Sequence, residues 1–242
     1  MDNPVVFIHG SGDSSRIWRL QVEALNELRP GRACALDLPG HGQRSDMFLT
    51  DAEVSVLDYA RAVHDITFNE LGLEHPIIAG HSLGGAIALM MALEYGPELG
   101  GIILIGTGAR LRVHPAFLEA AKNGTPEGLT QLAEFSVAPS HVNTFPVTVA
   151  RERGPAQPNM LYRDLAACDV FDVMARMEEI ARAGLPTLII CGAEDRMTPV
   201  KYSQYLHDHL PGSTLHIIPD AGHYVMREQP EAVNAAIEAW IE

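Results

Sequence analysis

The sequence predicts an α/β fold, a mostly parallel sheet of about six strands with helices on both faces, and three observations carry that prediction. Short, uninterrupted apolar runs recur along the chain, as strands covered on both faces require. Longer amphipathic stretches separate them, which is the strand–helix alternation of right-handed crossovers. The rhythm breaks once, between 108 and 184, where no clear strand occurs. A break of that length inside such an alternation predicts a helical insertion over one end of the sheet, since structureless loops that long are uncommon.

Taken in order, "PVVFI" (4–8) is the first strand and 16–28 the helix behind it. "ACALD" (33–37) is the second strand, followed by a helix over 53–70. "PIIAG" (76–80) is the third, running into a helix over 84–95, and "GIILI" (101–105) is the fourth. Within the insertion, "AFLEAAKN", "PEGLTQLAEF" and "ARMEEIARA" are helical patches set among prolines at 115, 126, 139, 146, 155 and 158. "PTLII" (186–190) with a helix over 199–209, and "TLHII" (214–218) with a helix over 230–241, complete the sheet. Pro230 suits the first turn of that last helix, where a missing N–H leaves nothing unpaired. The chain thus divides into a core, 1–107 and 185–242, and a cap insertion, 108–184; all six strands are expected to be buried on both faces.

At 242 residues the chain buries a sufficient core without disulfides or metal. An apolar fraction of 47% and a charged fraction of 20% describe an ordinary globule. Seventeen basic against thirty-one acidic residues give a formal charge of −14. Nucleic acids and anionic membranes attract clustered Lys and Arg, so neither is expected as a partner. Cys34, Cys168 and Cys191 are an odd, widely spaced set with no zinc-like pattern. Cys34 and Cys191 fall in strand-like runs and are expected to be buried thiols of a reducing compartment. With no leader-like N-terminal pattern and no bilayer-length apolar run, the expected location is the cytoplasm.

The chemistry-bearing residues gather at strand ends. Ser82 sits in Gly80-His81-Ser82-Leu83-Gly84, between the third strand and its helix. A chain that turns this sharply strains the serine backbone and lifts the hydroxyl above the sheet edge, while glycines let strand and helix approach. Free N–H groups of the helix N-terminus then face a developing oxyanion. His223 lies in "IIPDAGHYVMREQP", in the loop after the last strand, and is the candidate base. Asp195 in "LPTLIICGAEDRMTP" follows the fifth strand and is favoured over its neighbour Glu194 as the orienting acid, because Thr198-Pro199 starts the next helix and leaves Asp195 in the turn. His207 and His209 are spaced i, i+2 on a helix and share no face, which argues against a metal pair. "FIHGSGDSS" gives a glycine-rich turn, His9-Gly10-Ser11-Gly12, whose Ser11 N–H joins that of Leu83 as a candidate oxyanion donor. Ser, Asp and His occur in the order that a nucleophile elbow on an α/β sheet demands.

These stretches, together with "ALDLPGHGQRSD", resemble the successive landmarks of the α/β-hydrolase superfamily over almost the whole chain. The resemblance implies the α/β-hydrolase fold, with 108–184 as the variable cap that frames the substrate pocket. It implies Ser82 as nucleophile, His223 as base and Asp195 as orienting acid, with no cofactor and a small-molecule acyl substrate. Gly10 and His81 are expected to touch that substrate. Family members begin with two further strands, the second antiparallel; here the "HG" strand starts three residues after Met1, so that pair is expected to be absent. The exposed edge is then expected near the N-terminus, bare in a monomer or covered in a homodimer. A serine nucleophile argues against the haloalkane dehalogenase and epoxide hydrolase branches, which place Asp there.

A cap rich in Leu, Phe, Met, Ala and Pro predicts an apolar pocket and a carboxylesterase acting on small to medium acyl esters. The same triad supports C–C hydrolysis of dienoic diketones, lactone opening or perhydrolysis, among which the fold does not choose. A ligand-binding receptor with a silent triad is the alternative of another class.

Overall fold

The computed structural model describes residues 3–48, 53–143 and 159–242. Its centre is a six-stranded sheet in the order β2-β1-β3-β4-β5-β6, with every pairing parallel. The strands are β1 (Val5–Ile8), β2 (Ala33–Leu36), β3 (Ile77–His81), β4 (Gly101–Ile105), β5 (Thr187–Gly192) and β6 (Thr214–Ile218). Alternate side chains leave a strand on opposite faces, so Val6 and Ile8 enter one apolar core while Val5 and Phe7 enter the other. Helices α2 (Val56–His64) and α3 (Leu83–Tyr95) cover the first face; α1 (Arg19–Leu28) and α10 (Pro230–Ile241) cover the second.

Strand order sets the site. The chain runs from β1 to β2 on one side, then crosses back to place β3 on the other side of β1. Loops leaving the C-terminal ends of β1 and β3 therefore diverge, and such a switch point is where open parallel sheets build crevices. The register Ile8↔Gly80 brings the end of β1 beside the start of the Ser82 turn.

Not every strand is buried as expected. β1, β3, β4 and β5 are, but β2 is half-buried along its middle and β6 is mostly half-buried or exposed, with Thr214 and Ile217 open to solvent. Both are edge strands, with one neighbour and incomplete helical cover. Cys34, in β2, is accordingly half-buried, while Cys168 and Cys191 are buried; all three are free. The helix expected over 53–70 starts at Val56, where Ser55 and Asp58 form a reciprocal capping box. It widens into π-type winding over Asp65–Glu70.

Between β4 and β5 lie α4 (Pro115–Asn123), α5 (Pro126–Phe135), α6 (Met160–Val170) and α7 (Met177–Arg182). Pro115 and Pro126 start their helices and Pro139 a short 3₁₀ turn; Pro146, Pro155 and Pro158 lie outside the described residues. Helix α6 has no counterpart among the predicted patches. After β5 come α8 (Val200–His209), β6, a short α9 (Val225–Glu228) and α10.

Candidate active site

Ser82 closes β3 and caps α3 with φ 53° and ψ −114°. A non-glycine residue in that region carries strain that the surrounding structure must hold. Two glycines make it feasible: a Cβ on Gly80 would overlap the Gly84 carbonyl, and one on Gly84 would overlap the Ile8 carbonyl. The Ser82 N–H is spent on the Ile105 carbonyl at 2.9 Å, while the N–H groups of Gly85 and Ala86 return to the Ser82 carbonyl. Leu83 and Gly84 thus precede the first helical bond, leaving their N–H groups at the positive end of α3.

Asp195 and His223 leave the ends of β5 and β6 and meet. His223 Nδ1 lies 2.9 Å from Asp195 Oδ2, with both side chains buried. The carboxylate is held by other donors too: Oδ1 accepts the N–H groups of Met197 and Thr198, each at 2.8 Å, and Oδ2 accepts the Thr198 hydroxyl at 2.8 Å. Glu194 is exposed to solvent. An Nδ1–H directed at a carboxylate leaves Nε2 as the ring's acceptor. The His223 backbone is clamped as well, its N–H donating to the Ser136 carbonyl at 3.1 Å and its carbonyl lying 2.9 Å from His81 Nε2.

The turn after β1 lies against the serine: a Cβ on Gly10 would stand 3.3 Å from Ser82 Cβ. Ser11, His81, Ser82 and His223 line one cavity of about 60 Å³. Its apolar wall is Leu111, Val113, Leu132, Leu161, Leu165 and Met197, mostly from 108–184. His81 is on that wall, yet its ring is engaged with the His223 carbonyl. Cys168 also faces the cavity, 3.7 Å from Ser11 Oγ. Burial pushes its thiol up to about 12, so it stays protonated and does not compete as a nucleophile.

Sequence reasoning missed four residues here. Thr198 braces both Asp195 and His223, the latter at 3.2 Å from Nδ1; its signal was the Asp-x-x-Thr spacing, a local side-chain-to-backbone turn. Tyr224 donates to Asp13 Oδ2 at 3.1 Å, both on the cavity wall. Asp164, on the unforeseen α6, is fully buried and accepts from the Gly12 N–H at 2.8 Å. Among the described residues no group of three or more His, Cys, Asp or Glu is placed to hold a metal ion, and no helix is long and apolar enough to cross a membrane.

The same arrangement of strands and turns recurs in known proteins. A solved structure described as a thermophilic esterase has a TM-score of 0.78 at 32% identity, over 98% of this chain and 88% of its own. The 3-oxoadipate enol-lactonase 2 of Acinetobacter baylyi is 24% identical over 251 residues, 98% of this chain and 88% of the relative. A 2-hydroxy-6-oxo-6-phenylhexa-2,4-dienoate hydrolase of Burkholderia cepacia is 27% identical over 247 residues, 95% of this chain and 84% of the relative. The sequence profile described as the alpha/beta hydrolase family matches residues 5–236, from the first strand into the last helix. With that match and the six parallel strands that carry the Ser82 turn, the chain belongs to the α/β-hydrolase family.

Proposed function

We propose that the protein is a carboxylesterase that cleaves small to medium acyl esters through an acyl-enzyme on Ser82. The observation that carries this reading is the Asp195–His223 hydrogen bond of 2.9 Å, opening on the same cavity as a serine held at positive φ. His223 Nε2 takes the Ser82 proton as Oγ bonds to the acyl carbon, and the carbonyl electron pair moves onto oxygen. Asp195 keeps the ring in the required tautomer and offsets its charge. The oxyanion faces the N–H groups of Ser11 and Leu83. Its collapse breaks the ester C–O bond, and the alcohol leaves with the proton from His223. Water then gives a proton to His223 and attacks the acyl carbon; the acid departs and Ser82 regains its hydrogen.

The apolar cavity wall supports a hydrocarbon acyl chain, and its small volume supports a short one. Residues 108–184 act as the cap over a core of 1–107 and 185–242. The protein acts in the cytoplasm, as a monomer or homodimer, on a small-molecule substrate and with water as the other reactant. A fluorophosphonate probe tests the nucleophile: labelling of the wild type and none of Ser82→Ala is expected, and an unlabelled wild type refutes the reading. A panel of nitrophenyl esters of rising acyl length, with an enol-lactone and a dienoate alongside, tests the substrate class. The ester reading predicts the highest kcat/KM on a short ester, whereas preference for the lactone or the dienoate would replace it with the activity of one of the named relatives.

A further inference from the structure

Ser11 is flanked by two peptide units; the first is pinned by its chain neighbours and the second from outside the turn. In the first, the Gly10 carbonyl lies 2.8 Å from His9 Nδ1 and also accepts the Asp13 N–H at 3.3 Å. Carbonyl and N–H point opposite ways across a trans peptide, so this hold directs the Ser11 N–H away from the His9 ring. In the second, the Gly12 N–H donates to Asp164 Oδ2 at 2.8 Å. Asp164 comes from α6, 152 residues further along the chain.

The Asp164 carboxyl is fully buried and meets donors from three segments: Gly12, His41 Nε2 at 2.8 Å and the Tyr59 hydroxyl at 2.5 Å. Gly12 and Tyr59, whose own oxygen accepts from Arg163, both donate to it, and with His41 beside it these contacts outweigh burial and hold the carboxyl below the ordinary carboxylate range, ionised. The His41 ring poses the converse problem. Its Nε2 faces that carboxylate, and its Nδ1 lies 3.1 Å from the Pro39 carbonyl. Both partners are acceptors, so both ring nitrogens are satisfied only when both carry hydrogen, as in the imidazolium. Burial and the nearby Arg163 oppose a charge on His41, yet Asp164 and the Pro39 carbonyl hold its pKa above the ordinary value.

The surroundings fit a charged pair. Arg163, next to Asp164 on α6, donates to the Tyr59 hydroxyl at 3.0 Å, Asp46 at 2.6 Å and the Pro39 carbonyl at 2.8 Å. His9 packs 4.9 Å from His41, ring to ring, and its Nε2 accepts the Leu38 N–H at 3.1 Å, which holds it neutral. His9 from the end of β1, and Arg163 and Asp164 from α6, are titratable groups that act on His41, while Tyr59 from α2 reaches it through Asp164.

We propose that Asp164, paired with an imidazolium at His41, is a positioning residue that holds the Ser11 N–H on the oxyanion. The proposal rests on the reading of Ser82 as nucleophile and Ser11 as donor. Two consequences separate it from mere structural support. Loss of the pair slows acylation more than it weakens binding, because the oxyanion exists only after attack. Deprotonation of His41 turns one of its two contacts into acceptor against acceptor. The folded-state pKa is raised, so the brace is complete below the ordinary histidine range and fails as pH rises through the higher, folded value.

Nitrogen-15 NMR of wild-type histidine rings at neutral pH tests the charge: an imidazolium at His41 is expected, and a neutral tautomer overturns the proposal. Fluorophosphonate labelling and ester turnover test the role. Asp164→Asn should lower the labelling rate and kcat about 10- to 100-fold, short of the full loss of one oxyanion donor, with KM changed less than about threefold. Equal rates in wild type and variant, both folded, overturn the role of Asp164 alone. A wild type that takes no label overturns the Ser82 reading and this role with it. Where Asp164→Asn does not fold, His41→Gln decides, since its amide still donates to Asp164 but does not titrate. The wild type should lose labelling rate toward alkaline pH and His41→Gln should not; the same alkaline limb in both overturns the proposal.

Discussion

His9 shows how one buried ring can make the fold sensitive to acid. Burial, joined by the charge of His41, lowers its pKa from 6.5 to about 4. The unfolded chain therefore binds a proton that the native chain refuses between those values. Stability falls where the unfolded state holds more protons and pH is dropping. The shift corresponds to about 3 kcal/mol lost from about pH 7 to about pH 4. His9→Gln keeps an acceptor for the Leu38 N–H and a donor for the Gly10 carbonyl without titrating. Urea unfolding across this range should show a flatter pH dependence in the variant, and parallel curves would refute the assignment. Ser82, Asp195 and His223 were legible at this scale because each stands in a turn at a strand end, where few residue types fit. Asp164 was not. Its three partners lie 152, 123 and 105 residues away, so nothing local distinguishes it from a solvated helical carboxylate.

Among the elements, the short α9 does more than lead into α10. Its Glu228 Oε2 accepts the N–H of Gly222, beside His223, at 2.9 Å and that of Ala138, from 108–184, at 2.8 Å. One buried carboxyl thus ties the His223 loop to the segment that also holds the His223 N–H. Glu228→Ala leaves both N–H groups buried without an acceptor, at about 1–3 kcal/mol each. Unfolding free energy should drop by about 2–6 kcal/mol, and labelling of Ser82 should slow as the His223 loop loosens. Glu228→Gln retains an acceptor oxygen and should recover most of both; an alanine variant with wild-type stability would remove Glu228 from this account. The six strands were readable because their apolar runs are continuous. Which of them stand at the edges was harder to read: Thr214 and His216 interrupt "TLHII" where "GIILI" is unbroken, but burial follows from pairing partners elsewhere in the chain. Helix α6 escaped notice because Asp164 interrupts the apolar face made by Met160, Leu165, Ala167 and Cys168.

Over the whole molecule, a formal charge of −14 predicts a net repulsion of anionic substrates. Raising the salt from about 0.01 M to about 0.1 M shortens the screening length from about 30 Å to about 10 Å. For an ester with a free carboxylate, kcat/KM should rise severalfold over that range, while a neutral ester of similar size should change little. Identical salt responses would show that the field does not govern access. The parallel sheet and the placing of the site at one end of it could be read from strand–helix alternation alone. The contact of α6 with the Ser11 turn joins residues far apart in the chain, which no single stretch encodes.

Helix α3 carries a last consequence. From Leu83 to Ala92 its residues are buried on every side, between the sheet and the helices around it. From Gly85 to Ala92 no small local opening exposes its amides, so hydrogen exchange there is expected only when the whole domain unfolds. Ser82 is thus fixed to the start of a helix whose first ten residues are all buried. Under the ester reading, substrate and product would pass the segment over the cavity while Ser82 keeps its place.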